Sequence, residues 1–245
     1  MLLVITDIGL GLHQAIQRIQ PEHRVLDVGG AMRPLRRADV ILDFMPYTEQ
    51  PRFGYHGDGP ICYTPADWYV RDICDKTPWP FKDKSFDFVL YRHTLEDIRD
   101  PIYVCQEMVR VGKAGYIETP HRDQETTTGI DAYPGNLGYA GYCHHRWLVT
   151  LSNDQLVFTH KSPFLHAEAG LRKWSYKQTH LSFFWVEEFD AREKILLSYE
   201  DIIADQRQWL LSDQGEKRPL KRPPMRAIRH SLADSLIMIR QLVIG

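Results

Sequence analysis

Between residues 24 and 120 short apolar runs recur, each closed by an acid, a glycine or a turn. Val25-Leu26-Asp27-Val28-Gly29-Gly30 opens the series and delivers an acid and two glycines to a tight turn. Glycine lets backbone N–H groups approach a ligand and permits φ > 0, while Asp27 can serve as a fixed acceptor beneath the turn. Ala38 to Phe44 forms a second run ending on Asp43, and in a strand–helix–strand unit such an acid can accept the hydroxyls of a ribose. A third run, Trp68 to Ile73, carries Asp72. Phe86 to Tyr91 is aromatic and β-branched. Pro101 to Val111 fits a helix, with proline in its first turn, apolar positions at Ile102, Val104, Cys105, Met108 and Val109, and a stop at Gly112 to Gly115. Tyr116 to Pro120 supplies a fifth strand. Strand and helix or loop thus alternate, the rhythm of an open, mostly parallel α/β sheet.

Downstream the pattern loosens. Pro120 to Tyr142, rich in Gly, Thr, Tyr, Asp and Pro, has no clean periodicity and is long for a passive connection. It leaves the carboxyl end of a strand, where open α/β sheets bind ligands, so it is expected to form the acceptor side of a pocket, with Tyr133, Tyr139 and Tyr142 as lining. Arg146–Leu151 and Gln155–His160 flank Ser152-Asn153-Asp154 as a hairpin. Residues 162–215, with Trp174, Tyr176, Phe183, Phe184 and Trp185, are expected to form a cap or insertion. Lys217 to Arg229 is a proline-punctuated basic run, and Ile228, Leu232, Leu236, Ile239 and Val243 mark one face of a helix. A solvated linker and a packing or oligomerising helix suit this tail better than an anionic dock, because the basic run is short and Asp234 follows it.

Composition narrows the class. The chain has 245 residues, 43% hydrophobic and 25% charged, enough for a full core. A net charge of −2 does not advertise nucleic acid. No window reaches the length of a membrane span, and Asp7 interrupts the first apolar stretch too early for a secretory signal, so a cytoplasmic protein is expected. The four cysteines show no CxxC pairing and read as reduced thiols.

The succession VLDVGG, PLRRADVILD, DICDKTPWPFKDKSFDFVLYRHTLEDIRDP and EMVRVGKAGYIETP resembles class I S-adenosylmethionine-dependent methyltransferases of the type 11, small-molecule branch, over residues 22 to 161. The resemblance implies a Rossmann-like open sheet of about seven strands with an antiparallel last strand, helices on both faces and, here, a C-terminal helical extension. Residues 1–215 would be the methyltransferase domain (core about 22–161, cap about 162–215) and 216–245 a basic linker and amphipathic helix. It implies a sixth and seventh strand at the hairpin. It also implies S-adenosyl-L-methionine as cofactor, with Asp27, Gly29 and Gly30 cradling its amino-acid part, Asp43 on its ribose, Asp72 and Ile73 beside its adenine, and Arg92 and His93 at its methionine portion. Two positions depart from the family: Ala31 replaces a glycine, and Leu95-Glu96-Asp97 stands where Leu-Glu-His is common. A nicotinamide oxidoreductase is disfavoured, since Ala31, Met32 and Arg33 after the glycine pair break G-x-G-x-x-G.

Methyl transfer to nitrogen or sulfur asks for little beyond positioning, whereas a hydroxyl must lose its proton to a nearby base. His144 or His145 is the first candidate and His121 the second, with Asp123 and Glu118 in reserve. The polar, aromatic and histidine-rich loop favours a hydroxyl on a sugar, glycan or similar small metabolite. No metal is expected, since His121, Cys143, His144 and His145 match no strong zinc spacing. The alternative function is a catalytically silent member that keeps the fold as a binding or assembly module.

Overall fold

In the computed structural model the described residues are 2–7, 10–128, 130–131, 139–167 and 179–211. They form two compact units. The first holds residues 1–120, 149–158 and 180–193, and the second holds the rest. Tyr133, Trp174, Tyr176, the basic run and the C-terminal helix expected beyond residue 216 lie outside the described residues.

The first unit is built on a seven-stranded sheet, ordered β1-β9-β6-β5-β2-β3-β4. Its strands are β1 (Leu2–Asp7), β2 (Val25–Val28), β3 (Val40–Asp43), β4 (Trp68–Val70), β5 (Phe88–Arg92), β6 (Ala114–Pro120) and β9 (Thr179–Val186). β2 pairs in parallel with β3 and β5, β3 with β4, and β5 with β6, while β9 runs antiparallel to β6 from Ala114↔Val186 to Pro120↔His180. β2 and β3 are buried throughout, as near-continuous apolar runs should be when helices cover both faces.

Helix α1 (Leu10–Arg18) buries Leu12 and Ala15 with Val25, Ile41, Phe88, Leu90, Tyr116 and Phe184. Side chains alternate along a strand, so Val89 faces the other way, toward the end of helix α2 (Pro101–Val111). There a Cβ on Gly112 would meet Val89 at 2.5 Å and Trp185 at 2.9 Å. α2 has the bounds expected from its spacing. Asp100 caps it by accepting the Tyr103 N–H, Pro101 opens it, and the Gly112 N–H closes it on the Met108 carbonyl.

Two expectations are corrected. The hairpin does form, as β7 (Trp147–Ser152) and β8 (Gln155–His160), but it pairs with β10 (Asp190–Lys194) in a separate three-stranded sheet ordered β10-β8-β7. The main sheet is finished by β9 and β1 instead. Length and glycine explain the choice: β9 matches all seven residues of β6, and Gly115 leaves room for Trp185, whose ring would lie 2.8 Å from a Cβ there. Phe183, Phe184 and Trp185 are therefore buried sheet residues.

Among the described residues the second unit contains three helices, α3 (Arg122–Glu125), α4 (Phe164–Ala167) and α5 (Tyr199–Leu211). Leu148 and Leu165 form a small core with Phe164, Ile202 and Ile203. Arg122 is buried against Asp205 (2.5 Å) and Gln206 (2.9 Å), and Lys194 Nζ also reaches Asp205. Among the described residues no helix is long and apolar enough to cross a membrane.

Candidate functional site

The turn after β2 is assembled from the residues singled out in its sequence. Gly29 takes φ +72°, a conformation open to glycine, and its N–H donates to the Leu42 carbonyl at 2.9 Å. A Cβ on Gly30 would stand 2.4 Å from Asp27 Oδ2, so only glycine lets this carboxylate tuck beneath the turn. Asp27 is 3% exposed and accepts the Leu35 N–H at 2.8 Å. Burial pushes its carboxyl up to about 7, against the pull of the Leu35 N–H. Asp27 is thus the brace of the turn. Asp43, at the tip of β3, accepts the Ala31 N–H at 2.9 Å and the Met45 N–H at 2.8 Å. Burial raises its carboxyl too, opposed by backbone N–H bonds from Met45, Ala31 and Phe44. Ala31 is buried in the core, and the N–H it offers to Asp43 costs nothing for carrying a methyl.

Asp72 and Ile73 follow β4 and part company. Asp72 pairs with Arg99 at 2.5 Å and accepts the Cys74 N–H at 2.9 Å. Partial burial raises its carboxyl, but the Arg99 hydrogen bond, the Cys74 N–H and the Arg99 charge together hold it low. Together with Cys74, Asp75, Lys76 and Asp100 this pair lines an open cleft of about 460 Å3. Ile73 is buried, its carbonyl accepting the Trp79 indole N–H at 3.1 Å.

Arg92 and His93 converge on Glu118, a fully buried residue of β6. Arg92 donates Nε and a terminal nitrogen to Glu118 Oε1 at 2.9 and 2.5 Å and also bonds His56. His93, at φ +48°, places Nε2 3.1 Å from the same oxygen and Nδ1 3.5 Å from Glu96. Tyr116 Oη donates to Glu118 Oε2 at 2.5 Å, and His180 Nδ1 stands 3.4 Å from Oε1. Burial alone would raise the Glu118 carboxyl, but His180, His93 and Arg92 drive it far below the ordinary range. In turn, burial would lower His93, yet Glu118 and Glu96 lift it to about 9. Burial and then Arg92 push His56 down to about 3. Glu118 is therefore a charge hub in which His93 is a cation and His56 is neutral. Sequence reasoning kept Glu118 in reserve and missed His56, Glu96 and His180. The antiparallel pairing of β9 with β6 is what brings His180 here, and no local pattern signals it.

His93, Glu118 and His180 each place one ligand atom within 4.8 Å of the others. Arg92 sets a positive charge against the same Glu118 oxygen.

The three candidate bases lie in the second unit. His145 Nδ1 stands 2.8 Å from Glu125 Oε1, and Lys161 Nζ donates to Glu125 Oε2 at 2.7 Å and to the Tyr142 carbonyl at 2.7 Å. Glu125 is fully buried; burial would raise its carboxyl, but His145 and Lys161 hold it below the ordinary range. His144 is exposed, its ring 4.5 Å from that of His145. His121 caps α3: its Nδ1 accepts the Asp123 N–H at 3.2 Å, and its ring packs 5.6 Å from Trp209.

The cofactor implied by the resemblance is a cation rich in hydroxyl and ammonium donors and carries a flat purine. The first unit offers matching groups. Glu96 is 1% exposed, and its Oε2 has no hydrogen-bond donor among the described residues. Asp43 stands beside Phe44, 74% exposed, and its register partner Val70, 59% exposed, so apolar surface flanks the acid. These acceptors and apolar faces fit such a ligand.

Residues 57–117 match the family model described as "Methyltransferase domain" (Methyltransf_11). No curated protein matches the chain. Among solved structures it is similar to a SAM-dependent methyltransferase from Thermotoga maritima (22% identity over 47% of this chain and 52% of that one, TM-score 0.29). It is also similar to an S-adenosylmethionine-dependent methyltransferase from Mesorhizobium loti (15% identity, 62% and 65% coverage, TM-score 0.32). A third is the YcgJ protein from a Bacillus (17% identity, 46% and 50% coverage, TM-score 0.30). The chain spans about half the length of the Thermotoga protein. The matched stretch includes β4, β5, α2 and the start of β6 and carries Asp72, Arg92 and His93, so this part of the chain is similar to the S-adenosylmethionine-dependent methyltransferases of the type 11 branch.

Proposed function

We propose that the chain transfers a methyl group from S-adenosylmethionine to a hydroxyl of a small polar acceptor such as a sugar or glycan. The cofactor supplies an electrophilic methyl on a sulfonium whose thioether leaves uncharged. Asp43 would take its ribose hydroxyls, the Gly29-Gly30 turn its amino-acid part, and Arg92 and His93 would bound its methionine portion. Asp72 and Ile73 remain the proposed neighbours of the adenine, with Asp72 exchanging its Arg99 contact to serve there.

The observation that carries the hydroxyl reading is the Glu125–His145 pair at 2.8 Å. A carboxylate on Nδ1 fixes the tautomer in which Nε2 is the basic nitrogen, and oxygen acceptors need a base where amines do not. His144 and His121 are the other base candidates, but His121 already spends Nδ1 on the Asp123 N–H.

Calorimetry with S-adenosylmethionine should give micromolar binding that Asp43→Ala abolishes. Labelled methyl transfer is then scored across sugars, nucleotide sugars, phenols and amines. His145→Ala should lower turnover on the hydroxyl acceptor about 100-fold or more while leaving cofactor affinity unchanged. Transfer to amines alone would remove the hydroxyl reading, and no binding at millimolar cofactor would leave the fold as a binding or assembly module.

A further inference from the structure

We infer that Asp131, Cys143 and His144 form a binding site for a zinc-type divalent cation in the second unit. Each places one ligand atom within 4.8 Å of the other two, one carboxylate oxygen, one thiol sulfur and one imidazole nitrogen. In a tetrahedral zinc site with bonds of about 2.0–2.3 Å the ligand atoms stand about 3.3–3.8 Å apart, so side-chain adjustments of about an ångström close the set. The segment is already drawn together, since the Cys143 N–H donates to Asp131 Oδ2 at 3.2 Å. A dication would bind between the three ligand atoms, with the Cys143 proton released to solvent as the sulfur–metal bond forms.

The backbone on both sides of Cys143 and His144 is anchored. The Gly141 N–H donates to the Thr127 carbonyl at 2.8 Å with Gly141 at φ +57°, and a Cβ there would fall 2.5 Å from the Glu125 backbone. Lys161 grips the Tyr142 carbonyl, and Glu125 grips His145 on the far side of Cys143 and His144. Both ligands between these anchors are exposed, so a cation can reach them. Thiolate, imidazole and carboxylate together suit borderline ions such as Zn2+ or Co2+ rather than Mg2+ or Ca2+. Three protein ligands leave a fourth position for water. The inference does not depend on methyl transfer. With His144 as a ligand, the base role proposed above falls to His145.

The test is titration of the tag-free full chain with Co2+, followed by absorption. One equivalent should produce a thiolate-to-cobalt charge-transfer band together with tetrahedral d–d bands, and Zn2+ should bleach both. Cys143→Ser should lose the charge-transfer band while its far-UV circular dichroism is unchanged. Asp131→Ala and His144→Ala should each weaken binding about tenfold to hundredfold, and Cys62→Ser, in the first unit, should keep the full spectrum. A charge-transfer band that survives Cys143→Ser, a band lost in Cys62→Ser, or no stoichiometric binding would overturn the inference.

Discussion

At the scale of single residues the glycine turn was the most legible part of the chain, because its logic is local. Gly30→Ala is expected to cost about 1–3 kcal/mol in urea unfolding, since the methyl displaces Asp27 from the Leu35 N–H. The Glu118 hub was not legible: its partners Arg92, His93 and His180 stand far away in sequence and meet only through strand pairing. It leaves a mark on pH dependence. The His93 pKa of about 9 exceeds the 6.5 of an unfolded chain, so its stabilisation is complete below about pH 6.5 and fades as pH rises through 9. Asp27, raised to about 7, adds stability that is present below about pH 4 and lost as pH rises through 7. Between pH 4 and 6.5 that loss is offset by His56, held down to about 3, whose neutral form gains stability as pH rises, so denaturation midpoints should fall mainly between about pH 6.5 and 9. His93→Gln should remove that fall, and Asp27→Asn should uncover a rise from pH 4 to 6.5.

Elements were legible where their own residues set their limits. Asp100, Pro101 and Gly112 bound α2, and terminal acids mark β2 and β3. The hairpin β7–β8 was legible as a hairpin but not as to which sheet it joins, because pairing partners are chosen by tertiary fit. β9 was missed because its contiguous Phe183-Phe184-Trp185 reads equally as buried helix or strand. Its seat depends on Gly115, where a Cβ would fall 2.4 Å from the Val89 carbonyl and 2.8 Å from Trp185. Gly115→Ala should accordingly destabilise by about 3 kcal/mol, visible as a lower urea midpoint and loss of the near-UV signal of Trp185.

For the molecule as a whole, ligand linkage offers a check on the proposed cofactor. S-adenosylmethionine at 100 times its Kd should raise unfolding free energy by about 2.7 kcal/mol, and Asp43→Ala should erase that gain. The second unit was the least legible region, since its buried Arg122–Asp205 pair joins residues with no shared motif. Arg122→Ala should cost about 3 kcal/mol by taking the buried partner from Asp205 and leaving it Lys194 alone, whereas Arg122→Met with Asp205→Leu should recover most of it. The place of β9 between β1 and β6 also dictates the order of assembly during synthesis. β1 is translated well before β9, its one neighbour among the described strands, so it stays unpaired until residue 186 has been made. A nascent chain halted earlier would expose an unzipped flank of β6 to chaperones.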